Sequence, residues 1–400
     1  MIIKTGIPAA ATAALLLCTS SAFAVDAQAF ADRLKAVAST QSVEMSFDAA
    51  EEDGDDVVLR GVRFSPASAE SSEKIEEITF ENVTGSTAEG WTVERVPIAD
   101  IDETEEGTHS TVTGIVIEGL HLVGTEATDT PAAMSFSELF FDRAAVESVN
   151  VEKDGKKVFS LSDASMENEI ADDGTLTSEF DLGTFDADFT AANDNAESAT
   201  TMRELGYATL GGNIAGTATW NPTTGLLELD PFDIDLTDAG SLSFTYAISG
   251  YTPAFIESLK QLQQQMASNP DNQSAAGMAM MGLVSQLFLD SADLVFVDDS
   301  LTDKLLDYYA EKNGQTREQL IEGLTGMLPA MLSYLQNPTF QEEVISAVTT
   351  FLNDPQSLSI AIEPTAPVPA TQVIGAAMGA PQTLPSVLAL SVSANDATDD

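Results

Sequence analysis

From residue 42 onward a two-residue period dominates the chain, and that alternation restricts it to sheets with one dry and one wet face. Val43, Met45 and Phe47 alternate with Glu44, Ser46 and Asp48, the pattern of a half-buried strand. Asp53-Gly54-Asp55 turns the chain and 57–64 returns; 75–83, 90–98 and 112–122 are further strands. The acidic stretch 100–108 reads as a loop. Two β-rich runs around Asp154-Gly155 predict a hairpin over 146–163, because that pair suits the positive-φ positions of a type I′ turn. In 178–189 the alternation slips at Gly183, which predicts a bulge. Residues 212–250 read as a meander whose middle strand carries Pro231 at a bulge or edge.

Helical spacing takes over after Pro253. Phe255, Ile256, Leu259 and Leu262 form one stripe, and 274–289, 301–312, 316–335 and 339–352 are further helices. Residues 27–38 predict one more near the start, with Phe30, Leu34 and Val37 inward. Strands return at 358–362 and 387–392. The fold class expected is α+β: a large antiparallel, curled sheet system with a helical insertion in its second half.

The ends give an address. Lys4, the apolar run 9–17 and Ala22-Phe23-Ala24 form a cleavable signal segment over 1–24, cut between Ala24 and Val25. Cys18 follows Leu17, too large for a lipobox. Cleavage removes this only cysteine, leaving no disulfide or thiolate chemistry. The expected divisions are 25–190 (β-rich), a helix-poor linker over 191–201, an α+β domain over 202–395 and a tail over 396–400. The expected location is the periplasm or the medium. No transmembrane span remains in the mature chain.

Charge excludes some partners. Asp and Glu number 64 against 16 Lys and Arg, a formal net charge of −48. Nucleic acid is therefore not a partner, and anionic headgroups are a poor one. Hydrophobic residues at 44% argue for a folded chain.

Motifs for chemistry are missing. There is no G-x-S-x-G elbow. His109, in the acidic loop, and His121, on the strand face of Ile115 and Ile117, have no His or Cys neighbours for zinc. The pairs Asp233/Asp235 and Asp186/Asp188 alternate with apolar residues and so face outward. No catalytic residue, metal site or cofactor is assigned. The one candidate surface is the apolar helix 274–289, through Met278, Met280, Met281, Leu283 and Leu287, whose flexible thioethers suit an adaptable apolar contact.

Runs such as Val57-Val58-Leu59-Arg60-Gly61-Val62-Arg63-Phe64 and Ile115-Val116-Ile117-Glu118-Gly119-Leu120-His121-Leu122 follow one another with little else between. In this the chain resembles uncharacterised Gram-negative periplasmic proteins with AsmA-like repetitive β segments, though it lacks a retained N-terminal anchor. The expected function is an exported, non-enzymatic envelope protein binding an apolar ligand, such as a lipid acyl chain, or an envelope partner along a curled sheet. The alternatives are a carboxylate-dependent hydrolase of an envelope polymer and a purely structural scaffold.

Overall fold

The computed structural model describes residues 25–41, 43–66, 73–128, 130–192, 196–268 and 273–396. The signal segment expected over 1–24, with Cys18 and Ala24, lies outside the described residues, as does most of the tail. Helix α1 (Ala27–Thr40) opens at Asp26, whose carboxylate accepts from Ala29 N at 2.9 Å, a side-chain N-cap. Then come β1 (Val43–Ser46), β2 (Ala49–Asp53), β3 (Asp56–Pro66), β4 (Glu73–Ser86), β5 (Gly90–Pro97), β6 (Ile101–Glu105), β7 (Thr108–Thr113) and β8 (Val116–Val123). A short α2 (Ala132–Ser137) precedes β9 (Leu139–Lys153), β10 (Lys156–Ile170) and β11 (Leu176–Asp188). Helices α3 (Phe189–Ala192) and α4 (Ala196–Glu204) lead to β12 (Thr209–Asn221), β13 (Leu226–Leu236) and β14 (Gly240–Ser249). Next are α5 (Pro253–Ser268), α6 (Gln273–Val284), β15 (Phe288–Asp298), α7 (Leu301–Lys312), α8 (Arg317–Leu332) and α9 (Pro338–Asn353). The chain ends through β16 (Ser357–Ile362), β17 (Val368–Pro369), α10 (Ala370–Gly379), α11 (Leu384–Val387) and β18 (Leu390–Ala394).

The class is α+β, an 18-stranded antiparallel sheet with its helices concentrated in the second half. Strands pair almost in chain order: β8, β9, β10 and on to β15 each lie beside the next. Among the described residues no pairing joins the first strands to the last, and the sheet is not strongly curled. The curl expected from one-sided strands is corrected here. Closure needs a consistent tilt and stagger; instead, separate helices cap the two ends of the dry face.

At one end α1 supplies the main core. Phe30 meets Phe80 at 5.0 Å and Trp91 at 5.7 Å, both edge-on, with Val37, Leu59, Val62, Val93 and Leu122 fully buried around them. Burying each such side chain contributes about 1.5–3 kcal/mol. β4 makes the corner, its first half paired to β3 and its second half to β5.

Several local expectations hold. Asp154 and Gly155 have φ of 52° and 74°, the turn joining β9 to β10. The register shifts between Asp181 and Thr184 around Gly183, and between Leu229 and Phe232 around Pro231. Others are corrected. The acidic stretch 100–108 is the hairpin β6–β7, with β7 paired to β9 from Thr108↔Lys153 to Thr113↔Ser148. Its carboxylates point into solvent, so charge does not forbid the ladder. Within 191–201 the described residues, 191–192 and 196–201, are helical, and β11 pairs with β12 across the segment. α6 ends at Val284, and Phe288 and Leu289 begin β15 rather than ending a helix. Val387 closes α11, so the last strand starts at Leu390.

Candidate functional site

Cross-strand partners in an antiparallel ladder share a face, so the register traces the dry side directly. One rung runs Val96, Ile117, Ala144, Met166, Phe180, Gly216, Phe232, Phe244, Leu294, Ile360, Val392. It is apolar throughout. Neighbouring positions continue it: Leu161 faces Phe185, and Ile214, Ile234, Leu242 and Phe296 lie in register with one another. Phe180 lies over Gly216, where a Cβ would come within 2.6 Å of the ring, and its ring centroid is 6.0 Å from that of Phe232.

Val96, at one end, is buried beneath α1. At the other, α9 packs on β18 and Phe351 meets Phe296 at 6.0 Å. Between them no helix of the described residues lies along β13 or β14. Met166, Phe180, Phe232 and Phe244 accordingly keep solvent contact, Met166 being 36% exposed. Helices border this stretch only beyond the strand ends. α4 and α7 close round Leu210 and Leu236. α5 and α6 pack together near Tyr251, whose carbonyl accepts from Trp220 Nε1 at 2.7 Å.

The candidate helix residues divide. Met278, Met280 and Met281 are exposed, Leu283 is buried against Phe255 and Leu262, and Leu287 packs beside them. No described helix is long and apolar enough to cross a membrane.

The wet face carries the charge. Arg95, Glu118, Arg143, Glu167 and Glu179 form a cross-strand row beside the apolar rung, with Arg143 3.1 Å from Glu118 and 3.4 Å from Glu167. Asp233 and Asp235 lie opposite Ser243 and Ser241, and Asp186 opposite Ser160, away from the dry side. One carboxyl is unusual: burial, then the nearby Glu363, pushes Asp293 above the ordinary carboxylate range. Among the described residues no three His, Cys, Asp or Glu groups converge to hold a metal.

Two polar constellations emerge that spacing did not reveal. Gly119 takes a left-handed φ of 62° with the register unbroken, and Leu120 and Leu122 beyond it join the core that Ile117 packs against, so His121 faces away from Ile117 rather than sharing its side. It sits between Thr92, with Nδ1 3.4 Å from Oγ1, and Asp142, with Nε2 3.7 Å from Oδ1. This is a loose hydroxyl–imidazole–carboxylate line on an open surface. His109 lies in β7, not a loop, 2.8 Å from Asp102. The second constellation lines a cleft of about 810 Å³ between α4 and α7. Lys312 donates to the Tyr308 oxygen at 3.1 Å and Thr201 lies 3.2 Å from it; the Thr201 contact, then Lys312, lowers the phenol below its ordinary range. The i,i+4 spacing on α7 was its only advance signal.

No curated protein matches the chain. A family profile described as "Uncharacterized protein" matches residues 233–395, from within β13 to the residue after β18.

Proposed function

We propose that this is an exported, non-enzymatic envelope protein that binds a lipid acyl chain along the dry face of its sheet. The carrying observation is the uncovered part of the apolar rung, from Met166 through Phe180, Gly216 and Phe232 to Phe244. At ~4.8 Å per strand it extends roughly 19 Å, enough for a chain that spans about 15 Å of a bilayer leaflet. The Phe180 ring lies in the space that Gly216 leaves, and flexible Met166 and ring faces supply dispersion contacts. The likeness to AsmA-like repetitive β segments and the signal features at 1–24 support the envelope address. A hydrolase is less well supported, because the clefts that Asp186, Asp235 and Asp233 line are open to solvent on the wet face.

Titration with a fluorescent fatty acid tests this. Met166→Asp and Ile234→Asp are expected to weaken binding by about tenfold or more, since a carboxylate facing the chain is desolvated without a partner. Asp233→Asn, on the wet side, is expected to leave it unchanged. A wild-type protein that binds no fatty acid, or that cleaves an envelope polymer instead, overturns the reading.

A further inference from the structure

In this acidic chain the stretches 272–289, 323–341 and 364–395 contain no Asp, Glu, Lys or Arg. They supply α6, the second half of α8, and α10 through β18. The fold gathers them. α10 packs against α6, and the 3-10 turn Ser333–Leu335 that follows α8 packs against the turn Pro381–Thr383 that follows α10. Asn337 Nδ2 donates to the Gln382 carbonyl at 3.2 Å across that contact.

What this end exposes includes a flexible apolar set, bordered by Glu343 of α9, which accepts from Val392 N at 2.9 Å. Met278 is 73% exposed, Met331 66%, Tyr334 65% and Met378 83%. Leu324, Met327, Met331 and Tyr334 are all exposed and recur at three- and four-residue intervals, so they form one stripe on α8 continued into its closing turn.

We propose that this uncharged helical end is a bilayer-docking surface that seats the protein on zwitterionic lipid. The argument is charge complementarity. With a net charge of −48, the rest of the molecule is repelled by anionic headgroups. The orientation that meets least repulsion puts the uncharged end first, and a net-neutral headgroup layer is the surface that opposes it least. Methionine tips then enter the acyl boundary while the Tyr334 ring sits at headgroup depth. A protein interface carries a polar rim and directional hydrogen bonds, whereas these stretches offer apolar tips spaced by small, neutral residues. This goes beyond the acyl-chain reading and rests on different residues.

The test is flotation of the purified protein with phosphatidylcholine vesicles. The wild type is expected to float with them in low and in high salt. Met331→Glu and Met378→Glu are each expected to lower the partition by about tenfold, with an unchanged melting curve. Ile101→Glu, at a 39% exposed site on β6, serves as the control and is expected to float like wild type. The proposal is overturned if the wild type stays at the bottom, if Met331→Glu and Met378→Glu float undiminished, or if binding needs phosphatidylglycerol. Fatty-acid titration without vesicles separates the two readings. Variants that lose flotation but keep the fatty acid support docking, and flotation without any fatty-acid binding leaves docking standing while the acyl-chain reading fails.

Discussion

Arg33 on α1 donates to the carbonyl of Val123 at the end of β8 from both Nε, at 2.9 Å, and Nη2, at 2.6 Å. The same Nη2 lies 2.9 Å from the Glu138 carboxylate. One nearly buried guanidinium therefore fastens the helix to the end of β8 and to the residue before β9. Arg33→Ala is expected to cost about 1.5–3 kcal/mol, the range for hydrogen bonds to a charged group. Urea unfolding measures it, as a lower midpoint at unchanged slope.

The core is unevenly distributed, and substitutions should register that. Phe30→Ala opens a cavity between Phe80 and Trp91 and is expected to cost about 3–5 kcal/mol. Met278→Ala, on an exposed helix face, is expected to stay within about 0.5 kcal/mol of wild type. Parallel denaturation curves decide between an N-terminal and a uniformly spread core.

Two carboxyls should move stability with pH in opposite directions. Asp188 is held below the ordinary range by the Thr190 hydroxyl and the Ala191 N–H. Its contribution is present above the unfolded value and is lost as pH falls through the folded one. Asp293 is raised, so the native state holds that proton more tightly than the unfolded chain. Its contribution is unfavourable at neutral pH and is relieved as pH falls toward the raised value. Asp293→Asn is expected to raise the melting temperature at pH 7 and Asp188→Ala to lower it, with both differences shrinking in acid. Melting curves from pH 3 to 7 give the signs.

Salt should stabilise the wild type by screening a strongly negative surface. The charge row offers a specific instance, because Glu167 pairs with Arg143 on one side but faces Glu179 on the other. Glu179→Lys continues the alternation of sign and is expected to gain about 0.2–1 kcal/mol, a gain that shrinks as sodium chloride is added. A melting temperature that falls between low and moderate salt contradicts both statements.

Much of the fold was legible because its signals are local. Asp154-Gly155, Gly183 and Pro231 each mark a backbone event that their own chemistry demands, and the stripes of α5, α7 and α9 lie within single helices. Failures came where the decision is made elsewhere. The β6–β7 hairpin exists because β9 offers an edge to pair with, which no reading of Glu103 or Glu105 discloses. His121 lies on the other side from Ile117 because the left-handed turn of the backbone at Gly119 reverses parity downstream without changing the register. Alternation tells which residues share the rung from Val96 to Val392, but not whether a helix covers them. Leu283 and Met281 sit two positions apart on one apolar helix, yet one is buried and the other exposed, because α5 approaches from a single side.

A sheet assembled from successive hairpins has no ring to keep closed. Each strand from β9 to β14 depends on its two neighbours in chain order, so a hairpin can be added or removed in that stretch while α1 and α9 stay fitted to their own ends. The dry face is then a ruler whose length is set by the number of hairpins, adjustable in steps of two strands, roughly 10 Å. A longer or shorter dry face would need no new fold, only a different count.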